Sequence, residues 1–279
     1  MRELDAALVT EAVARLSVEA NLALPEDVRR ALSRAAEAEP YAPARDLLDR
    51  LCENYQVAER EGIPICQDTG AACVFLRIGQ DLHIKGDLRE AVNEGVRRGY
   101  REGNLRKSMV KDPLCRENTG DNTPAILYTE LVPGDRLEIT VAPKGFGSEN
   151  MSAIRMLRPS DGAEGVKQFV LDTVRAAGPN PCPPIVLGVG IGGTFDKAAY
   201  LAKHALLREL GTQNDDPYYR AMEEELLAAI NSLGTGPQGF GGKTTALGVH
   251  IEVMPTHIAG LPVAVNVSCH VTRHKTEVL

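Results

Sequence analysis

The chain has 279 residues, a formal net charge of -7, 43% hydrophobic residues and 25% charged residues. This composition is typical of a folded globular protein and excludes a disordered chain. The sequence contains no run of about 18 apolar residues, so it predicts no membrane-spanning segment. The acidic balance and an aromatic content of only 4% argue against nucleic-acid binding, which depends on surplus cations and stacking surfaces.

The predicted elements begin with helices and continue as a mixture of helices and strands. Helical periodicity predicts a helical N-terminal region over residues 1–62 and further helices over 87–101, 162–177, 194–210 and 217–233. Apolar runs and alternating patterns predict strands over 71–78, 125–131, 136–141, 185–190, 246–253 and 263–268. We therefore expect one α/β domain, 1–279, in which mixed sheets with flanking helices form the core, 63–279.

Two glycine-rich motifs resemble nucleotide-binding loops. Residues 188–193 match the G-x-G-x-x-G pattern of NAD-binding sites, but the strand that should follow with an acidic residue is missing. Residues 236–244 resemble a phosphate loop, but Pro237 occupies the position of its first glycine and a strand follows instead of a helix. A tight strand-to-helix turn is the favoured interpretation of the first motif, and a solvated surface lysine is the favoured interpretation of Lys243 in the second.

Six cysteines are too few for a disulfide scaffold in a chain of this length, and the N-terminus does not resemble a signal peptide. We therefore expect reduced thiols in the cytoplasm. Cys52 in a predicted helix and Cys73 in a predicted strand are expected to pack as small hydrophobic residues. The other four lie in predicted loops: Cys66, Cys115, Cys182 and Cys269.

The loop cysteines leave three interpretations open. They are structural, or they bind zinc with His257 or His270 as a further ligand, or three of them hold an iron–sulfur cluster. Their separations match no zinc-finger spacing. A cluster held by three thiolates would leave one iron open to substrate, where it would act as a Lewis acid.

Polar groups in neighbouring loops are suited to binding an anion. Backbone N–H groups of the glycine-rich segments 118–124 and 144–150 can form anion-binding turns. Arg106 belongs to a basic stretch, 101–116, although we expect most of that stretch to be a solvated surface. His257 lies in a loop between two predicted strands, where a core role is less expected than for His83 or His204.

The chain resembles the iron–sulfur hydro-lyases of the class I fumarate hydratase and L-tartrate dehydratase family. Six segments carry the resemblance in the family's order: ICQDTG, NTGDNTPA, APKGFGSEN, CPPIVLGVGIGGTFDKAA, GPQGFGGKTTALGVHIE and THIAGLPVAVNVSCH. They cover nearly the whole chain. The match is to the α subunit, which is equivalent to the N-terminal part of the single-chain enzymes.

The resemblance implies a [4Fe-4S] cluster with three cysteine ligands and one open iron; the ligands would be Cys66, Cys182 and Cys269. It also implies substrate contacts from Gln67, Asp68, Arg106, the backbone around Gly147, and His257. Asp68 and His257 would be the catalytic side chains, and Asp68 would be the base or would orient one. The remaining substrate-binding residues of the family would lie on a β-subunit partner in a hetero-oligomer.

The implied reaction is the interconversion of (S)-malate with fumarate and water, EC 4.2.1.2, a step of the tricarboxylic acid cycle. The alternative within the family is the dehydration of L-tartrate to oxaloacetate. Three alternatives lie outside it: a non-catalytic scaffold subunit that only holds a cluster, a zinc lyase or hydrolase, and an NAD-dependent dehydrogenase.

Overall fold

The computed structural model describes residues 2–279 and confirms an α/β fold with mixed sheets and flanking helices. The helices are α1 (Ala6–Leu22), α2 (Glu26–Ala38), α3 (Ala42–Glu61), α4 (Leu88–Glu102), α5 (Phe146–Glu149), α6 (Gly162–Ala177), α7 (Phe195–Ala205) and α8 (Pro217–Asn231). The strands are β1 (Arg2–Asp5), β2 (Ala71–Gly79), β3 (Leu82–Lys85), β4 (Ile126–Val132), β5 (Leu137–Lys144), β6 (Ala153–Leu157), β7 (Ile185–Gly192), β8 (Ala246–Met254), β9 (Leu261–Ser268) and β10 (Lys275–Val278). Within residues 2–279, no helix has both the length and the apolar character needed to cross a membrane.

All the long helices and strands predicted from the sequence are present, with small shifts at their ends. Helix α7 is shorter than predicted and ends at Ala205, because the chain then turns and the Leu207 amide donates to the His204 carbonyl oxygen. Residues 2–5, predicted as helical, form a strand instead. The sequence does not predict β1, β3, β6, β10 or α5, since elements this short show too little periodicity.

Residue contacts group the described chain into two compact units. Unit 1 contains residues 2–25, Tyr55–Phe146 and Arg273–Leu279, and unit 2 contains Glu26–Asn54 and Gly147–Thr272. Each unit has its own four-stranded sheet and its own apolar core. The organisation as one domain, 1–279, stays a prediction.

The sheet of unit 1 has the strand order β10-β5-β2-β4. Its central strand, β2, runs parallel to β4 and antiparallel to β5. The two strands that follow each other around the turn at residues 133–135 are therefore not paired, because β2 lies between them. A two-stranded parallel pair, β1 with β3, completes the strands of this unit.

Helices α1 and α4 pack against each other and share a buried core with Val74 and Leu76 of β2. Asp5 caps α1 by accepting a hydrogen bond from the Ala7 amide. A Cβ at Gly95 of α4 would lie 2.8 Å from a carbonyl oxygen of α1, so glycine at this position permits the close approach of the two helices.

The sheet of unit 2, in the order β6-β9-β7-β8, repeats the arrangement of strand directions. Its central strand, β7, runs parallel to β8 and antiparallel to β9. Helix α7 packs directly on β7, where a Cβ at Gly188 or Gly190 would lie 1.9 or 2.1 Å from a carbonyl oxygen of the helix. Gly188 and Gly190 of the G-x-G-x-x-G segment are therefore explained by helix-on-strand packing.

We expect Gly190→Ala to lower the free energy of unfolding by about 3 kcal/mol, because α7 must move to admit the new methyl group. Urea denaturation of the purified protein measures this change. Gly260→Ala is the matched control, since its Cβ would meet no atom closer than 3.9 Å. A Gly190→Ala protein as stable as the native one would show that α7 does not require glycine here.

Candidate active site

In unit 1, the candidate residues lie at the N-terminal end of the central strand β2. The loop of residues 64–70, here called the Cys66 loop, leads directly into this strand. Strand β5 runs antiparallel to β2 and pairs Lys144 with Ala71, so the segment after β5 returns to the same place. A Cβ at Gly70, which has a φ of +76°, would lie 2.7 Å from the Lys144 backbone. Only glycine allows this contact.

Asp68 connects the Cys66 loop to the segment that follows β5. Its Oδ1 accepts a hydrogen bond from the Gly70 amide at 3.0 Å, and its Oδ2 accepts one from the Phe146 amide at 2.8 Å. The Asp68 amide in turn donates to Sγ of Cys66 at 3.4 Å. Hydrogen bonds of this kind are also accepted by cysteine sulfurs that hold metal clusters.

Two buried side chains support the Cys66 loop. The Tyr100 hydroxyl lies 2.8 Å from the carbonyl oxygen of Thr69 and 3.0 Å from that of Gly70. Burial raises the pKa of Tyr100, so the phenol keeps the proton with which it donates to the loop. Nδ2 of Asn122 donates to the same Gly70 carbonyl oxygen at 3.1 Å.

The same support positions Arg106. Asn122 accepts hydrogen bonds from the amides of Ser108 and Met109 at 2.7 and 3.2 Å, and the Thr69 hydroxyl donates to the Arg106 carbonyl oxygen at 3.1 Å. The Arg106 side chain is exposed and has no ion-pair partner among residues 2–279. Unit 1 therefore brings together four candidate residues: Cys66, Gln67, Asp68 and Arg106.

In unit 2, Cys182 and Cys269 lie at the N-terminal end of the central strand β7. Cys182 precedes β7 and Cys269 follows β9, which runs antiparallel to β7 and pairs Ser268 with Val186. Nδ1 of His270 lies 2.9 Å from the Cys182 carbonyl oxygen and therefore carries the proton. This bond connects the two cysteine-bearing segments.

Gly147 lies in a segment that is held beside the C-terminal end of β9, the end that Cys269 follows. Glu149 forms an ion pair with Lys203 and accepts a hydrogen bond from the buried Asn266 side chain at 2.8 Å. Asn266 also donates to the Ser152 hydroxyl at 2.8 Å. These contacts hold the exposed backbone of Gly147 near the strand end that carries Cys269.

His257 lies at the opposite end of this sheet. Strand β8 runs parallel to β7 and ends with Met254 beside Gly192, and the Thr256 hydroxyl donates to the Gly193 carbonyl oxygen at 2.9 Å. At roughly 3.3 Å per residue, β7 separates this loop from the Cys182 end by about 23 Å. The structure therefore does not bring His257 to the cysteines of its own unit.

The His257 ring has a defined tautomer when neutral. The Ala259 amide donates to its Nδ1 at 3.2 Å, so the ring proton resides on Nε2. The ring is exposed and presents Nε2–H as a hydrogen-bond donor.

Among residues 2–279, no three His, Cys, Asp or Glu side chains converge on one point as ligands for a single metal ion. A cluster of several irons does not require such convergence, because each thiolate binds a separate iron atom. Cys66 in unit 1 and the pair of Cys182 and Cys269 in unit 2 share one topological position, the N-terminal end of a central strand.

The sequence does not predict the residues whose hydrogen bonds and ion pairs hold the segments that carry the site residues. They are Tyr100, Asn122, Glu149, Lys203, Asn266 and Arg273. Tyr100, Asn122 and Arg273 bond to backbone groups that are distant in sequence, which no periodicity reveals. Asn122 falls within the NTGDNTPA segment, for which the sequence predicts an anion-binding turn, whereas its side chain joins two loops.

Comparison with known proteins shows the family. Residues 10–278 match the family model described as fumarate hydratase (Fumerase). The chain belongs to the class I fumarate hydratase and tartrate dehydratase family. The resemblance seen in the six segments is thereby confirmed.

Several relatives match along nearly their whole length. A Methanocaldococcus jannaschii protein named "Putative L(+)-tartrate dehydratase subunit alpha" is 46% identical over 272 residues, which cover 95% of each chain. Proteins of Escherichia coli K12 and Shigella sonnei, both named L(+)-tartrate dehydratase subunit alpha, are 31% identical over 271 residues. These alignments cover 96% of this chain and 89% of each relative.

We expect Asn122→Ala to lower the free energy of unfolding by about 3 kcal/mol, because three hydrogen bonds of a fully buried side chain are lost. Urea denaturation again measures the loss. Asn118→Ala is the control, since this exposed asparagine also bonds to local backbone groups. Equal effects of the two substitutions would contradict the role assigned to Asn122.

Proposed function

We propose that the chain is the α subunit of an iron–sulfur hydro-lyase that adds water to, or removes it from, a four-carbon dicarboxylate. The family match over residues 10–278 carries this proposal. The two cysteine-bearing strand ends support it, because each places thiols beside groups able to bind an anion. The family relationship, not the arrangement of the units, is the basis for assigning both strand ends to one cluster.

The proposed cluster ligands are Cys66, Cys182 and Cys269, and the donor set fits the group. Thiolates are the usual ligands of iron–sulfur clusters, and the Asp68 amide already donates to the sulfur of Cys66. The chemistry that a [4Fe-4S] cluster with one open iron supplies when bound is Lewis-acid assistance to the loss of hydroxide. A reducing compartment such as the cytoplasm would keep these thiols available.

The chain's own residues then bind and orient the substrate. The exposed guanidinium of Arg106 is suited to a bidentate contact with one substrate carboxylate, and the Gln67 amide and the Gly147 N–H offer further hydrogen bonds. Asp68 either moves the proton of the reacting carbon or orients a base that does so. Each of its oxygens keeps a lone pair beyond the backbone bond that it already accepts.

The partner in this proposal is a β subunit. The relatives are named as alpha subunits, which implies a second kind of chain in those proteins. Arg106 is the only cation among the proposed substrate ligands of this chain, and a dicarboxylate carries two negative charges. The β subunit would therefore supply the cations for the second carboxylate and complete a hetero-oligomer.

Two substrates compete. The segments KGFGSEN and GIGGTFDKAA favour fumarate and malate, whereas the names of the relatives favour L-tartrate. Malate and L-tartrate differ by one hydroxyl group, and a few hydrogen bonds suffice to discriminate between them.

We infer that His257 serves the site of a second copy of this chain. Its loop lies about 23 Å from the Cys182 end of the same sheet, as measured along β7. Its exposed Nε2–H can donate a hydrogen bond to a substrate bound by the other copy. The assembly would then contain at least two α subunits.

We expect the native chain, co-produced with its β subunit without oxygen, to contain iron and acid-labile sulfide. Cys66→Ser, Cys182→Ser and Cys269→Ser should each lower both contents by about tenfold or more, because a ligand is lost. Cys115→Ser, at an exposed cysteine that is not a proposed ligand, is the control and should leave them unchanged. A native protein without iron and sulfide would contradict the cluster.

Activity on malate, fumarate and L-tartrate is assayed on the same preparations. Conversion of tartrate alone would keep the chain in this family and identify L-tartrate as its substrate.

Asp68→Asn, which keeps the size of the side chain, should lower kcat by about a hundredfold or more if Asp68 moves or orients a proton. Unchanged turnover in that variant would favour the scaffold role.

The role of His257 is tested by combining two inactive chains in one complex. A His257→Ala chain has intact cysteines, and a Cys182→Ser chain has an intact His257. If His257 acts across copies, the mixed complex should recover about half of the native activity, since one of two equivalent sites is complete. No recovery above that of either variant alone would contradict the inference.

A further inference from the structure

Arg273 is a buried cation that the proposed function has not used. It lies between β9 and β10, in unit 1, and only 5% of its surface is exposed. Its Nη2 donates to the Asp68 carbonyl oxygen at 2.6 Å. Its Nε is buried without a hydrogen-bond partner among residues 2–279, and no carboxylate of these residues forms an ion pair with it.

Such an environment is unusual for arginine. A guanidinium removed from water is normally paired with a carboxylate, because an uncompensated buried charge is costly. Arg97 of the same unit is 33% exposed and nevertheless forms ion pairs with Glu94 and Asp121. Arg273 has a neutral carbonyl group instead, so its positive charge is not offset by the described residues.

The surroundings of Arg273 are the Cys66 loop and its support. Asp68, whose carbonyl oxygen it binds, donates its own amide to Sγ of Cys66. The positive charge of Arg273 opposes the effect of burial on the pKa of Tyr100, and the Tyr100 hydroxyl contacts the same loop. The unpaired cation therefore lies beneath the segment that carries a proposed cluster ligand.

We propose that Arg273 is a positioning residue for Cys66 and the electrostatic counterpart of the anionic group that Cys66 helps to hold. This rests on the proposed function. A cluster bound by three thiolates and a dicarboxylate substrate are both negative, in a chain whose own net charge is -7. The hydrogen bond to the Asp68 carbonyl oxygen fixes the loop, and the charge would offset that of a bound anion.

The two parts of this role separate in two variants. Arg273→Gln removes the charge but keeps an N–H donor, and Arg273→Lys keeps the charge but not the planar guanidinium that reaches the carbonyl oxygen. Arg97→Gln is the matched control, because Arg97 is a paired arginine of the same unit. All variants are prepared as the complex with the β subunit, without oxygen.

The first measurement is the midpoint reduction potential of the cluster, determined by a redox titration that is monitored by electron paramagnetic resonance. We expect Arg273→Gln to make the potential more negative, because loss of a nearby positive charge disfavours the added electron. Arg273→Lys should keep the native potential but lose the cluster about tenfold faster, since the loop is held less well. Arg97→Gln should match the native protein in both respects.

The second measurement needs no cluster. In the protein freed of iron, hydrogen exchange at the Asp68 and Gly70 amides should be about tenfold faster in both Arg273 variants than in the native chain. If Arg273→Gln does not fold, Arg273→Lys decides the matter through cluster loss and exchange.

Native potential, native cluster retention and native exchange in a folded Arg273 variant would overturn this role. A native protein without iron and sulfide would instead contradict the proposed function, and the exchange measurement would still decide whether Arg273 positions the loop.

Discussion

The direction of the strands beside each central strand determines where the candidate residues lie. Because β5 and β9 run antiparallel to β2 and β7, the chain that leaves them returns to the N-terminal ends of those central strands. Loops that enter a central strand and loops that leave its antiparallel neighbour therefore share one edge of the sheet. That edge carries Cys66 and Asp68 in unit 1, and Cys182 and Cys269 in unit 2. The parallel neighbour β8 has the opposite effect and directs His257 to the far edge.

Within unit 1, hydrogen bonds of backbone groups hold the Cys66 loop in place. Both carboxylate oxygens of Asp68 accept amide hydrogens, and the carbonyl oxygens of residues 68–70 accept hydrogen bonds from Arg273, Tyr100 and Asn122. A loop whose carbonyl groups point toward buried donors can direct its amide groups and its cysteine sulfur the other way. The shape of the Cys66 loop thus depends on side chains that do not themselves line it.

The sequence predicts the long elements well, since a helix such as α6 or a strand such as β7 shows its periodicity within its own residues. It does not predict that β2 separates β4 from β5, because pairing depends on hydrogen bonds between distant segments.

The loop context of Cys66, Cys182 and Cys269 distinguishes them from Cys52 and Cys73, but not from Cys115. The place of His257 follows from strand direction, which a single sequence does not encode locally. Arg273 and Asn122 resemble ordinary polar loop residues until burial is known.

The discontinuous path of unit 1 has a consequence for biosynthesis. Its sheet is completed by β10, which pairs with β5, and by reciprocal hydrogen bonds between Leu279 and Leu137. These residues leave the ribosome after the whole of segment 147–272, although they pair with a strand made much earlier. The Cys66 loop therefore lacks its buried arginine throughout the synthesis of that segment. Delivery of the iron and sulfide of the proposed cluster before residues 273–279 have been made would meet an unsupported loop.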